Sequence, residues 1–393
     1  MRVLAATTAG AGHFAGLLPF ARACVERGYE LRVAAPESFA GSVRAAGFSH
    51  EVLADVDPAE MGAVIGRIPS LLMREADELI VQEVFGRLNL LAALPGMREI
   101  LERWRPDVVL REPAELASYV GARERGIPHV QTNIGLSSLD DFVLPLLDAP
   151  LAEVGSDAAG LRTAPRWTVT PPTFDQASQL ASGSLTHARD AASVGAAGDP
   201  LPDWWADLDG PLIYMTFGSV AASIGFFPTF YATALAQMRE LPVRVLLTLG
   251  EAGDAAALGP LPPNVHVERW WPQQDVLSQA AVVVGHGGFG TTQAALVAAV
   301  PQVIIPLFSF DQFANAERVA AVGVGVALVD EGAAQRRAGE VVPGGPQAVG
   351  GLAEAVASVL QDEAVHADAR RLAAEVRTLP PTIGCVAALE TMI

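Results

Sequence analysis

This 393-residue chain is poor in the features that mark secreted, membrane or nucleic-acid-binding proteins. It has only two cysteines, Cys24 and Cys385, at opposite ends. A secreted disulfide scaffold carries more and clusters them, so both read as reduced thiols in helices. It has no basic stretch. The 26 basic residues stand against 44 acidic ones, a net charge of −18, which argues against a polyanion partner such as nucleic acid. No run of about 18 apolar residues is free of Pro, Gly and charge, so no membrane span is expected. Met1-Arg2 leads into an apolar strand and a Gly-rich turn, unlike the apolar region and small-residue cleavage site of a signal peptide, so the expected compartment is the cytoplasm. The seven histidines show no paired ligand spacing such as HExxH.

What is present is apolar and periodic. Hydrophobic residues make up 51% of the chain, and its length suits two domains of about 200 residues each. Val3 to Ala6 reads as a strand that ends in Thr7-Thr8-Ala9-Gly10-Ala11-Gly12-His13. A helix follows with Leu17, Leu18, Phe20, Ala21, Cys24 and Val25 on one face, and Gly28 stands where a C-cap belongs. Leu31 to Ala34, Asp107 to Leu110 and His129 to Gln131 read as further strands, the last two bracketing a helix from about Glu115 to Arg125. The second half repeats the rhythm, with strands at Leu212 to Phe217, Val243 to Thr248, Val265 to Val267, Ala281 to Val284 and Val303 to Ile305. Strand–helix alternation predicts α/β architecture: two Rossmann-like, doubly wound domains facing across a cleft. Residues 194–210, rich in Gly, Pro and Asp, read as the linker, and 332–351 as a loop before the last helices. The expected domains are 1–200 and 211–375, with 376–393 returning to the first.

Three pieces carry chemistry in the second half. In the middle piece a strand ends at Gly285, then His286-Gly287-Gly288-Phe289-Gly290-Thr291-Thr292 opens a helix. The glycines let backbone approach a ligand, and the free N–H groups and dipole of the helix start form an anion site. Alone, this reads equally well as a strand–helix turn with a capping Thr. Upstream lies Trp270-Trp271-Pro272-Gln273, where a Trp ahead of a Pro offers a flat face for a nucleobase. Downstream, Pro306-Leu307-Phe308-Ser309-Phe310-Asp311-Gln312 and Asn315 place a hydroxyl-binding pair, Asp311-Gln312, at a helix start. Each flank alone reads as core or cap; three pieces in order and at close spacing are hard to assign to packing.

This segment resembles the donor-binding signature of the UDP-glycosyltransferase superfamily. More narrowly it is similar to actinobacterial glycosyltransferases that decorate antibiotics and other natural products, a likeness extending over nearly the whole chain. The resemblance implies the GT-B fold, an inverting hexosyl transfer, no metal and no cofactor. It implies that Trp270 stacks on the base and that Gln273 belongs to the nucleotide- and phosphate-binding set. His286, Gly287, Gly288, Gly290 and Thr291 would hold the diphosphate. Gly218 and Ser219 would touch the phosphates from a second loop, and Asp311 and Gln312 would hold sugar hydroxyls. The first domain would then bind the acceptor and the second the donor. The stretches 61–94 and 133–147 match acceptor-pocket walls in relatives, although a Met/Leu stripe more often means core.

The turn Gly10-Ala11-Gly12-His13 admits three readings: a dinucleotide turn, in which Gly16 comes one residue late; a tight turn with an incidental His; or a general base. An acceptor hydroxyl is a poor nucleophile, and a histidine suits proton removal near neutral pH. The resemblance places the catalytic base at His13. Such a base wants an orienting carboxylate. Glu112 matches the family position best, where many relatives have Asp. Glu115 is a rival, and Arg111 could pair with Glu112 and remove it. Asp55-Val56-Asp57 has the Asp-x-Asp spacing of metal-dependent glycosyltransferases of another fold, but it precedes Pro58 in an expected surface loop.

The expected partners are a nucleotide-sugar donor and a small apolar acceptor; the oligomeric state is not legible. A nucleotide-sugar 2-epimerase of similar fold, or an inactive nucleotide-binding auxiliary, are the alternatives. The Trp-x-Pro-Gln and Asp-Gln elements favour transfer over the first, and His13 argues against the second. A departure bears on the donor. Superfamily members that use UDP-sugars often carry a Glu eight residues after the phosphate-binding His, accepting from the ribose hydroxyls. Here that position is Ala294, preceded by Gln293. The actinobacterial relatives commonly use dTDP-deoxysugars, so the expected donor is a dTDP-sugar.

Overall fold

The computed structural model describes residues 1–194, 198–205, 208–341 and 344–393. Residues 195–197 and 206–207 of the expected linker lie outside the described residues. The chain forms two compact units. One comprises Met1–Ile68, Glu75–Ala191 and Leu379–Ile393; the other comprises Pro69–Arg74 and Ala192–Thr378.

The first unit is built on seven strands: β1 (Arg2–Ala6), β2 (Glu30–Pro36), β3 (Ser49–Leu53), β4 (Val108–Arg111), β5 (His129–Thr132), β6 (Arg166–Thr168) and β7 (Leu185–His187). They pair in parallel in the order β3-β2-β1-β4-β5-β6-β7. Parallel strands need crossovers, and helices supply most of them. β4 is buried along its whole length because Val108-Val109-Leu110 is apolar on both faces, as a helix-covered parallel strand must be. The core gathers Val3, Ala5, Leu17, Phe20 and Val33 with Val386 and Leu389 of the returning C-terminal segment. Each such Val, Leu or Phe side chain contributes roughly 1.5–3 kcal/mol on burial.

The helix Ala11–Glu26 starts directly after the β1 turn. Gly16 explains its close seat: a Cβ there would stand 2.8 Å from the Asn133 carbonyl oxygen. The late glycine therefore serves helix–loop packing. The stretch 61–94 is helical for most of its length and includes a ten-residue π-helical run, Ile80–Asn89. Asp55 and Asp57 are local caps: Asp57 accepts from the N–H groups of Ala59 and Glu60 at the start of the helix Pro58–Ile65, and Asp55 accepts from Ser38.

The second unit holds six parallel strands: β8 (Leu212–Thr216), β9 (Arg244–Thr248), β10 (Val265–Glu268), β11 (Ala280–Gly285), β12 (Gln302–Ile304) and β13 (Gly325–Ala327), in the order β10-β9-β8-β11-β12-β13. Its core includes Ile213, Met215, Phe217, Val282, Val284 and Ile305. The expected loop at 332–351 carries short helical turns at Ala333–Gln335, Ala338–Val341 and Gln347–Gly351. These are too short for a 3.6-residue period to register in sequence.

Both sheets reverse their winding at one place, between β1 and β4 in the first and between β8 and β11 in the second. Ligands of open α/β sheets bind beyond the carboxyl ends of the strands at that switch point. His13 and Glu112 follow β1 and β4; Gly218 and His286 follow β8 and β11. No helix among the described residues is long and apolar enough to cross a membrane.

Candidate active site

At the first switch point, His13 Nδ1 lies 3.1 Å from Glu112 Oε2. His13 is in the first turn of its helix, with its side chain 24% exposed, while the Glu112 side chain is fully buried. Thr8 donates to Glu112 Oε1 through its backbone N–H and its hydroxyl, both at 3.0 Å. Ala114 N–H donates to Oε2 at 2.6 Å. Burial pushes the Glu112 carboxyl up, but the charge of His13 and the hydrogen bonds from His13, Thr8 and Ala114 outweigh it, leaving the group below the ordinary range. An ionised Glu112 accepts only, so Nδ1 carries a proton, and when the imidazole is neutral the lone pair is on Nε2.

The rival arrangements are not the ones formed. Arg111 is buried beneath the site and donates to the carbonyl oxygens of Glu112 and Pro113 and to Gln131 Oε1 at 2.7 Å. Glu115 accepts from the Ser118 N–H with both oxygens, at 3.2 and 3.1 Å, near the start of the helix Ala117–Arg125. Its burial pushes the carboxyl up to about 7. Two contacts escaped the sequence. Thr8 stood in the recognised turn without a sign of its partner. Phe85, whose ring centroid lies 5.2 Å from that of His13, comes from the π-helical run, a stretch that the sequence marks only as a region.

At the second switch point, His286 follows β11 and the helix Phe289–Val297 begins three residues later. The imidazole is packed between glycines: a Cβ at Gly288 would come 2.5 Å from Nε2, and one at Gly218 2.7 Å from Cε1. Gly287 has φ +86°, and a Cβ there would press on the Gln312 carbonyl oxygen at 2.8 Å. Both neighbours and the turn itself therefore require glycine. His286 is 9% exposed, and burial lowers its pKa to about 4, so it is neutral. Its Nδ1 is buried without a hydrogen-bond partner. A Cβ at Gly290 would meet open space. Thr291 Oγ1 accepts from Gln273 Nε2 at 3.1 Å, joining the upstream motif to the helix start. Trp270 is 69% exposed. Ser219 is exposed beside Gly218.

The Asp311-Gln312 pair divides. Asp311 Oδ1 is bonded to the Ser309 hydroxyl at the start of the helix Phe310–Ala321. Gln312 is buried, and its Oε1 accepts from the N–H groups of Leu307 and Phe308 at 2.9 and 3.2 Å. Any contact of Gln312 with a sugar hydroxyl thus falls to its amide nitrogen. Asn315 donates to the Gly287 carbonyl at 2.8 Å and fastens this helix to the glycine turn. Among the described residues, no group of three or more His, Cys, Asp or Glu is gathered to hold a metal ion.

A glycine turn around a buried neutral histidine in one doubly wound unit and a His–carboxylate couple in the other are the elements of a group-transfer enzyme. Residues 22–206 match the N-terminal domain and residues 232–392 the C-terminal domain of the erythromycin biosynthesis protein CIII-like family. The chain belongs to that family and is a glycosyltransferase. It is 32% identical to the L-demethylnoviosyl transferase of Streptomyces niveus, over 97% of this chain and all of the relative. It is also 32% identical to the elloramycin glycosyltransferase ElmGT of Streptomyces olivaceus, over the whole chain and 97% of the relative. The glycosyltransferase SsfS6 of Streptomyces sp. SF2575, solved with thymidine diphosphate, superposes with a TM-score of 0.74 at 26% identity, covering 100% of this chain and 99% of that one. SnogD of Streptomyces nogalater gives 0.74 at 25% identity, with the same coverage. The fold is GT-B, and the likeness to actinobacterial natural-product glycosyltransferases holds along the full length.

Proposed function

We infer that the protein moves a sugar, with inversion, from a dTDP-sugar to a hydroxyl of a small apolar natural-product acceptor. The observation that carries this is the His13–Glu112 couple, whose geometry leaves Nε2 as a base. In this reading the first unit binds the acceptor and the second the donor. His13 Nε2 takes the acceptor proton as the acceptor oxygen attacks the anomeric carbon from the face opposite the diphosphate. The bond from that carbon to the diphosphate oxygen breaks, and the nucleotide leaves with the electron pair. Glu112 stabilises the imidazolium. His286, the N–H groups of Gly288, Gly290 and Thr291, and the loop at Gly218-Ser219 take up the growing negative charge as preorganised donors. Trp270 supplies the base platform with Gln273 beside it, and Asp311 with the Gln312 amide holds the sugar. Transfer without a divalent ion belongs to this reading, the backbone amides, neutral donors and helix dipole holding the phosphates.

The dTDP assignment rests on Ala294, which cannot accept from a ribose 2′-hydroxyl. Its neighbour Gln293 is buried, with neither amide atom bonded, and lies about 100° round the helix from Ala294. The thymidine diphosphate bound by SsfS6 supports the same choice. A cytoplasmic location belongs to this reading too, as both cysteines are free and buried.

The test is incubation with dTDP- and UDP-sugars and an acceptor panel in excess EDTA, following product mass and free nucleotide. Stoichiometric glycoside and dTDP support the reading. Release of nucleotide or an epimerised sugar without glycoside, or activity only on adding magnesium or manganese, contradicts it.

A further inference from the structure

The two oxygens of a carboxylate offer about four acceptor positions, and in Glu112 four donors meet them. Ala114 N–H and His13 Nδ1 meet Oε2, while Thr8 alone supplies both donors to Oε1. The Glu112 side chain is fully buried and Thr8 nearly so, so no solvent replaces a lost donor. A glutamate side chain has three rotatable bonds, and something must fix its last torsion.

We propose that Thr8 is a positioning residue for the catalytic pair, its hydroxyl and N–H gripping Glu112 Oε1 so that Oε2 is presented to His13. This rests on the reading of His13 as the base. The hydroxyl is the separable part of the grip, because the backbone N–H survives substitution. Without it a buried carboxylate oxygen is short of a donor, and the carboxylate turns or takes a proton. Either change loosens the His13 tautomer. The charged groups around Glu112 are His13 on the first helix, Arg111 and Glu115 on its own segment, and Asp140 and Arg166 beyond Arg111. His13 is the one that bonds the carboxylate. Thr8 thus acts on the reaction through Glu112 and has no part in holding the donor.

The experiment compares Thr8→Val, Thr8→Ser, Glu112→Gln, His13→Ala and the double variant Thr8→Val/Glu112→Gln, measuring kcat, donor KM and dTDP affinity. Thr8→Val lowers kcat about tenfold, the usual weight of one hydrogen bond to a charged group. Donor KM and dTDP affinity stay within about twofold of wild type, Thr8→Ser restores kcat, and in the Glu112→Gln background Thr8→Val costs nothing further. Wild-type kcat in Thr8→Val, failure of Ser to restore it, or a loss that multiplies with that of Glu112→Gln overturns the proposal. If Thr8→Val does not fold, Thr8→Ala makes the same comparison. A fully active His13→Ala would overturn the base reading itself. An impaired His13→Ala beside an unimpaired Thr8→Val overturns only the role of Thr8.

Discussion

Gly218 packs against the imidazole of His286 so closely that a Cβ at 218 would stand 2.7 Å from Cε1. Its φ of +75° is also one that side chains avoid. The two residues follow adjacent strands, β8 and β11, so the proposed phosphate site is built by strand order as well as by local sequence. The expected effect of Gly218→Ala is to displace His286 and weaken dTDP binding by about tenfold or more, one charge-assisted hydrogen bond being worth roughly 1.5–3 kcal/mol. Calorimetry at wild-type affinity would count against this packing as a determinant of the site.

Burial lowers the His286 pKa to about 4, so in the proposed function it serves phosphate as a neutral dipole and not as a cation. His286→Ala should weaken dTDP binding by about ten- to a hundredfold. His286→Asn, which keeps a neutral N–H donor, should bind between the two. An asparagine variant no better than alanine would show that the contact needs charge.

Glu115 carries a pH signature. Its carboxyl is pushed up to about 7 chiefly by burial, above an ordinary value near 4.5. A raised carboxyl contributes stability below its unfolded pKa that is lost as pH rises through the folded one, so the window runs from about 4.5 to 7. Glu115→Gln should therefore match wild type at pH 5 and exceed it at pH 8 by about 1–3 kcal/mol, seen as a higher Tm. Equal melting at both pH values would mean that Glu115 is ionised without cost.

The donor base is tested by titrating dTDP and UDP side by side. An unpaired buried hydroxyl costs roughly 1–3 kcal/mol, so dTDP should bind about five- to a hundredfold tighter. Ala294→Glu should narrow the gap. Equal or tighter UDP binding would remove the assignment, and an unchanged gap in Ala294→Glu would remove its cause.

Much of this was legible because it rests on local rules. Apolar runs such as Val108-Val109-Leu110 marked buried parallel strands, and Gly-rich turns after β1 and β11 marked strand–helix junctions. What escaped depends on contacts distant in sequence. Thr8 and Glu112 are 104 residues apart, and nothing near either names the other. The backbone role of Gln312 also escaped: its Oε1 folds back onto the Leu307 and Phe308 N–H groups, because a polar side chain at a helix start serves ligand or backbone equally well on paper. Phe85 reaches His13 from a π-helical run whose period departs from the 3.6 residues by which sequence faces are read.

The measurement that bears most directly on the account is the turnover of His13→Ala with a dTDP-sugar and an accepted aglycone, taken beside its dTDP affinity. His13 and His286 belong to different units, so kcat is expected to fall about 10²-fold or more while dTDP affinity stays within about twofold. Turnover near the wild-type rate would contradict the assignment of His13 as the base that drives transfer.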